Sequence, residues 1–232
     1  MVEPFTIFPN AGGFNVLRDK QRRANPHSPR IDPQQSGVGD AVVFLRGIDP
    51  ARGRRWDYPS VTVEMSDYRF DVRQGETIGR YGFVRRGASV AMVSRQNVPH
   101  GLHADGAAFF TLSFLDPDQS SARRMESPGV VELTSSTGYF WMRAYLFVDD
   151  HPYYTISAAD GAFTLADVPV GTYEVTCWMP NWHPAGRDLD PESGIVLRQR
   201  FLPPVEMKQT VVVSPGSTQV TEFALSAELF AR

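Results

Sequence analysis

Short runs of Val, Thr, Phe, Tyr and Met, each closed within a few residues by Gly, Pro, Asn or Asp, run along most of this chain. With 18 prolines and 19 glycines among 232 residues, no long helix-periodic stretch survives, and turns must be frequent. β-Branched and aromatic residues fit a pleated, half-buried surface, so the pattern predicts an all-β protein. The expected strands fall at 39–47, 61–65, 68–73, 82–84, 89–94, 108–114, 129–133 and 142–148, then at 173–178, 196–201, 209–213 and 218–225. Alternation at 61–65 and 89–93 predicts antiparallel sandwich sheets with one buried face. Asp160-Gly161 predicts a hairpin turn between two strands.

A chain of this length with 42% apolar and 21% charged residues has enough apolar material for two folded units. Residues 9–37, rich in Pro, Gly, Asn, Gln and Arg, read as an extended arm, and 116–128 as an exposed, mobile loop.

The charge of -3 with a pI near 6.0 gives no basic surface for nucleic acid. Four arginine pairs, Arg22-Arg23, Arg54-Arg55, Arg85-Arg86 and Arg123-Arg124, read as solvated loop charges rather than sites. The single cysteine, Cys177, excludes an internal disulfide and lies in a strand-like run, where a buried inert thiol is expected. No stretch is long and apolar enough to span a membrane. The first residues lack the basic and apolar regions of a signal peptide, which predicts either a cytoplasmic chain or one whose leader has been removed.

Catalytic signatures are missing: there is no nucleophile elbow, P-loop or dinucleotide fingerprint. The acid groups Asp149-Asp150 and Asp188, Asp190 and Glu192 read as turn caps, the second group with a weak calcium site as the alternative. The chain is therefore expected not to be an enzyme, with no catalytic residues.

Two resemblances add to this reading. The run 155–175 (TISAADGAFTLADVPVGTYEV) resembles the signature of carboxypeptidase regulatory-like domains, small transthyretin-like sandwiches. The segments 61–73, 87–100 (GASVAMVSRQNVPH) and 129–142 (GVVELTSSTGYFWM) resemble a cupredoxin of the plastocyanin-like type. Together they imply two β-sandwich units, a cupredoxin-like Greek key at 60–148 inserted into a regulatory-like sandwich made of 37–59 and 149–226. An arm at 1–36 and a tail at 227–232 complete the chain. The combination resembles proteins of the bacterial envelope, which implies a periplasmic or secreted location.

In a blue-copper site one His comes from an inner strand, and Cys, His and Met come from a late loop. The resemblance puts His100 at the first position, Ser136 at the Cys position, Tyr139 at the second His and Met142 at the axial ligand. The thiolate is thus missing, which implies a non-enzymatic structural or binding protein without a cofactor, its partner an unidentified protein or a carbohydrate. Two alternatives stay open. One is a copper carrier using His100, His103 and Met142, provided that the turn-rich run 97–106 lets the histidines converge. The other is a carbohydrate-binding module using Tyr139, Trp141, Trp178 and Trp182, from an aromatic group that also holds Phe140, Tyr145, Tyr153 and Tyr154 and is otherwise expected to pack one sandwich on the other. His151 and His183 read as structural.

Overall fold

The computed structural model describes residues 5–7, 21–23, 27–137, 139, 141–189, 191–192 and 196–230, with the backbone alone at 5–7, 21–23 and 196–198. The side chains of Arg22 and Arg23, together with Phe140, Asp190, residues 231–232 and most of the expected arm, lie outside the described residues.

In chain order the strands are β1 (Phe5–Ile7), β2 (Gln21–Arg23), β3 (Arg30–Ile31), β4 (Val38–Gly39), β5 (Val42–Arg46), β6 (Val61–Ser66), β7 (Arg69–Gln74), β8 (Thr77–Gly79), β9 (Tyr81–Arg85) and β10 (Ser89–Ser94). They continue with β11 (His100–Gly106), β12 (Phe110–Phe114), β13 (Ser120–Arg124), β14 (Gly129–Ser135) and β15 (Arg143–Asp149). The last are β16 (Tyr154–Ile156), β17 (Gly171–Met179), β18 (Pro184–Leu189), β19 (Val196–Phe201) and β20 (Val205–Val213), followed by a 3-10 turn at Ala227–Phe230. The protein is all-β, and among the described residues no helix is long and apolar enough to cross a membrane.

The chain divides into two compact units. Unit 1 comprises Met1–Pro26, Asp57–Asp150 and Gly186–Arg200; unit 2 comprises His27–Trp56, His151–Ala185 and Phe201–Arg232.

Unit 1 holds two five-stranded sheets, β13-β10-β6-β7-β8 and β12-β11-β14-β15-β9. Most pairs are antiparallel, but β6 runs parallel to β10 and β9 parallel to β15. Alternation along β6 buries Val61, Val63 and Met65 and turns Thr62 and Glu64 outward, as the period of two requires. These side chains meet Val90 and Met92 of β10, Leu102 and Ala104 of β11, Val131 and Leu133 of β14 and Leu146 of β15 in one core. Strand β15 is covered on both faces, its second carrying Tyr145 against Tyr81 and Phe147 against Phe83.

Unit 2 is built on the sheet β16-β5-β17-β20. Val43 and Leu45 of β5 and Tyr173, Val175 and Cys177 of β17 form its core with Tyr153, and Phe163, Leu165, Phe223 and Leu225 pack on them. The Ser157 hydroxyl bridges β4 and the residue that precedes β5, donating to the Val38 carbonyl at 2.7 Å and accepting from the Ala41 N–H at 2.9 Å. Beside it Gly37 lies on the Asp160-Gly161 turn so closely that a Cβ there would stand 1.7 Å from the Asp160 carbonyl oxygen.

Several strand expectations are corrected. The runs 97–106 and 116–128, expected as turn-rich and mobile, contain β11 and β13. Strand β18 lies between the strands expected at 173–178 and 196–201, where none was expected, and β2 and β3 interrupt the expected arm. Conversely, 218–225 forms no strand, although Phe223 and Leu225 pack on the core of unit 2. The 158–162 turn closes as expected through Ala158 N–H to Ala162 O at 2.8 Å, but no strand follows it until β17.

Replacing Gly37 by Ala forces two backbone segments apart, and unit 2 is expected to lose about 1–3 kcal/mol. Gly47→Ala, with φ of 81° but nothing within 4 Å of the new Cβ, is expected to cost less. Urea unfolding of the two variants measures the difference; equal losses would mean that close packing at Gly37 is not the constraint.

Candidate functional site

At one end of unit 1 three connections come together: the β6–β7 turn, the segment between β10 and β11, and, between β14 and β15, Ser136, Tyr139, Trp141 and Met142. The β6–β7 register pairs Ser66 with Arg69, leaving a two-residue turn at Asp67 and Tyr68 with φ of 44° and 56°. Both residues are left-handed, as the twist of a tight hairpin demands, yet a bulky Tyr in that region is unusual and strained.

The strain is held by hydrogen bonds on both sides of Tyr68. Its N–H donates to Gln96 Oε1 at 2.9 Å, and its carbonyl accepts from the Trp141 indole N–H at 2.8 Å. Gln96 Oε1 also lies 3.1 Å from His100 Nε2. Because that oxygen already accepts from Tyr68, Nε2 must carry the imidazole proton and donate it. His100 Nδ1 is then a bare lone pair, fully buried and without a hydrogen-bond partner. The ring is enclosed by aromatics, with centroids 5.5 Å from Tyr139 and 6.2 Å from Tyr68, and Tyr139 in turn meets Tyr68 at 5.2 Å and Trp141 at 5.6 Å.

Gly101 lets the following segment approach: a Cβ there would stand 2.1 Å from Ser136 Oγ. The Ser136 N–H donates to the Gly101 carbonyl at 3.0 Å, so Ser136 is backed onto the residue next to His100. Met142 is buried in the unit 1 core, and its N–H donates to the Tyr139 carbonyl at 2.8 Å. Burial lowers the pKa of His100 below its ordinary 6.5 and raises that of the Tyr139 phenol, so both stay neutral near pH 7.

His100, Ser136, Tyr139 and Met142 therefore all belong to this end of unit 1, but His103 does not join them. Strand β11 begins at His100, and side chains three apart on a strand face opposite ways. His103 packs edge-on against Phe109 at 5.3 Å, with Nδ1 3.0 Å from Thr111 Oγ1, so the convergence that a loop would have permitted does not occur. Among the described residues no group of three His, Cys, Asp or Glu is placed to hold a metal ion.

The aromatic candidates are divided as well. Tyr139 and Trp141 belong to the cluster just described, whereas Trp178 lies in β17 and Trp182 packs on Phe230 at 4.3 Å in unit 2. Trp141 and Trp178 are only 7% and 1% exposed, which leaves neither ring a face for a sugar. Tyr153, Tyr154 and His151 pack together in unit 2, the last stacked on Tyr154 at 5.7 Å. Cys177 is buried, and its thiol is pushed up to about 11 by desolvation, as an inert core cysteine requires.

Sequence reasoning missed Tyr68, read there as the first residue of a strand, and Gln96, which had no motif to announce it. Neither role follows from residue type; each exists because the turn and the β10–β11 segment arrive at the same end of the sandwich.

No family model matches the sequence. No curated protein matches it. Among solved structures, the chain is similar to a Cu(I) form of an amicyanin mutant at 16% identity, over 46% of this chain and 97% of that one, with a TM-score of 0.31. It is similar also to a purple cupredoxin from Nitrosopumilus maritimus at 17% identity, over 39% of this chain and 98% of that one, with a TM-score of 0.31.

The lowered pKa of His100 gives a signed pH dependence. The unfolded chain takes up the proton first, so the stability contributed by neutral His100 is complete above its ordinary 6.5 and is lost as pH falls through the lowered folded value. His100→Phe keeps a ring between Tyr68 and Tyr139 and removes the titration. From about pH 7 to about pH 5 the parent is expected to lose stability relative to the variant; a constant difference between their unfolding curves would show that His100 does not titrate this way.

Proposed function

We propose that this protein is a non-enzymatic binding or structural protein of the bacterial envelope. In this reading unit 1 is a cupredoxin-type sandwich whose ligand end has become a hydrogen-bonded aromatic cluster, and unit 2 is a carboxypeptidase regulatory-like sandwich. The observation that carries it is the donor set around His100. The bare Nδ1 of His100 and the thioether of Met142 suit copper, but Ser136 offers a hydroxyl and Tyr139 a neutral phenol where a soft site needs thiolate and imidazole. The residues present do not fit a blue-copper centre.

The copper-carrier reading would need a second imidazole, and His103 lies on the other face of β11. The carbohydrate reading would need exposed rings, and Trp141 and Trp178 are buried. A protein partner suits the non-enzymatic reading better than either.

Titration with Cu(I) and with Cu(II) tests the proposal, and the natural protein is expected to take up neither stoichiometrically. The double variant Ser136→Cys, Tyr139→His puts a thiolate and an imidazole at the two positions that the resemblance assigns to them. It is expected to bind Cu(II) with a strong thiolate-to-copper absorption in the visible. Tight uptake by the natural protein that disappears in His100→Ala would overturn the metal-free reading and favour a carrier. A double variant that folds but binds no copper would remove the descent from a cupredoxin.

A further inference from the structure

Arg85, Arg86 and Arg124, from two of the arginine pairs read from the sequence as solvated charges, line one corner of unit 1. Strand β9 ends at Arg85 and turns into β10 through Arg85–Ala88, closed by Ala88 N–H to Arg85 O at 2.9 Å with Gly87 at φ of 83°. Strand β13 pairs with β10 so that Arg124 stands opposite Ser89, beside that turn. Arg124 Nε donates to the Gly87 carbonyl at 2.7 Å, which lays its guanidinium over the turn. A Cβ on Gly87 would come within 3.3 Å of Arg124 Nη2, so glycine serves both the backbone conformation and the approach.

The three guanidinium groups are held differently. Arg86 forms a two-pronged pair with Asp150, Nε to Oδ1 at 2.9 Å and Nη2 to Oδ2 at 2.9 Å, and is neutralised in its own plane. Arg124 meets Glu126 with Nε 3.1 Å from Oε1, the two side chains being 65% and 66% exposed, a contact that water largely screens. The Arg85 side chain is exposed and, among the described residues, makes no hydrogen bond or ion pair. These residues line an open concavity of about 690 Å³ together with Gly87 and Ala88. Backbone donors do not contribute, because the Gly87 and Met125 N–H groups already bond Met125 O and Ala88 O.

We propose that this corner binds the dianionic phosphate group of a small phosphate monoester, held by the fork of Arg85 and the outward nitrogens of Arg124. The two arginines reach the concavity from different strands, and a tetrahedral oxyanion has oxygens for both, whereas a lone carboxylate matches a single fork. Arg124 is already anchored on Gly87, so binding orders little besides Arg85. Glu126 is the competitor that the ligand displaces. The site is separate from the His100 cluster and does not depend on its reading.

Titration at low ionic strength with inorganic phosphate and glycerol phosphate, followed by calorimetry and by the arginine Nε–H resonances, tests the proposal. Saturable binding is expected, for glycerol phosphate tighter above than below the monoester's second ionisation at about pH 6. Inorganic sulfate, dianionic throughout, should bind without that pH step, which separates titration of the ligand from titration of the protein. Arg85→Ala and Arg124→Lys are each expected to weaken phosphate about tenfold. Glu126→Gln is expected to tighten it, and Arg69→Ala, which removes an exposed arginine paired with Asp71 on β7, to leave it unchanged. No saturable binding, or an equal loss in Arg69→Ala, would overturn the site. So would a weaker affinity in Glu126→Gln.

Discussion

Alternate side chains of β6, β10, β11, β14 and β15 leave water when the two sheets of unit 1 close on one another, and this burial decides where every connection of the unit emerges. Each large apolar side chain so buried contributes about 1.5–3 kcal/mol, and a slip of one residue in any strand would turn its whole set outward. The register is therefore strongly fixed. With β6, β7 and β11 held, the Asp67-Tyr68 turn, Gln96 and His100 have no freedom to separate.

The polar chain at that end is built the way buried polar groups must be. Trp141, Tyr68, Gln96 and His100 are linked donor to acceptor, and one amide oxygen serves both Tyr68 and His100. A strained Tyr survives because each of its backbone groups is held from a different segment. Against this, the bare Nδ1 of His100 is a polar atom removed from water with nothing in return, an arrangement that costs stability and is seldom kept for packing alone. Ser136 and Tyr139, at the same end of the sandwich, offer only a hydroxyl and a neutral phenol, donors poorly suited to copper.

Unit 2 depends on close backbone approach where unit 1 depends on side-chain interdigitation. The turn at Asp160-Gly161 sits against Gly37, and the Ser157 hydroxyl holds Val38 and Ala41, so small residues and one hydroxyl bring together segments more than a hundred residues apart. Behind them lies the core of β5 and β17, in which Cys177 is simply one more apolar side chain.

The sequence by itself determined the fold class and most of the apolar strands, because period-two alternation with Gly and Pro at its limits is a local property of the chain. It also placed β5, β6, β10, β14, β15 and β17 to within a few residues. It did not yield β11 or β13, whose residues, His100–Gly106 and Ser120–Arg124, carry little apolar alternation. Their strand character comes from hydrogen bonding to β12 and β14 in one case and to β10 in the other, which no local pattern encodes. The segment 218–225 is the converse: its pattern is that of a strand, yet its side chains pack without a ladder, and the Gln209 amide reaches the Glu222 carbonyl instead. His100, Ser136, Tyr139 and Met142 were readable as one group only by resemblance. That His103 faces away, that Gln96 fixes the His100 tautomer, and that Arg85 and Arg124 share one corner were decided by tertiary structure, because each depends on which strand lies beside which.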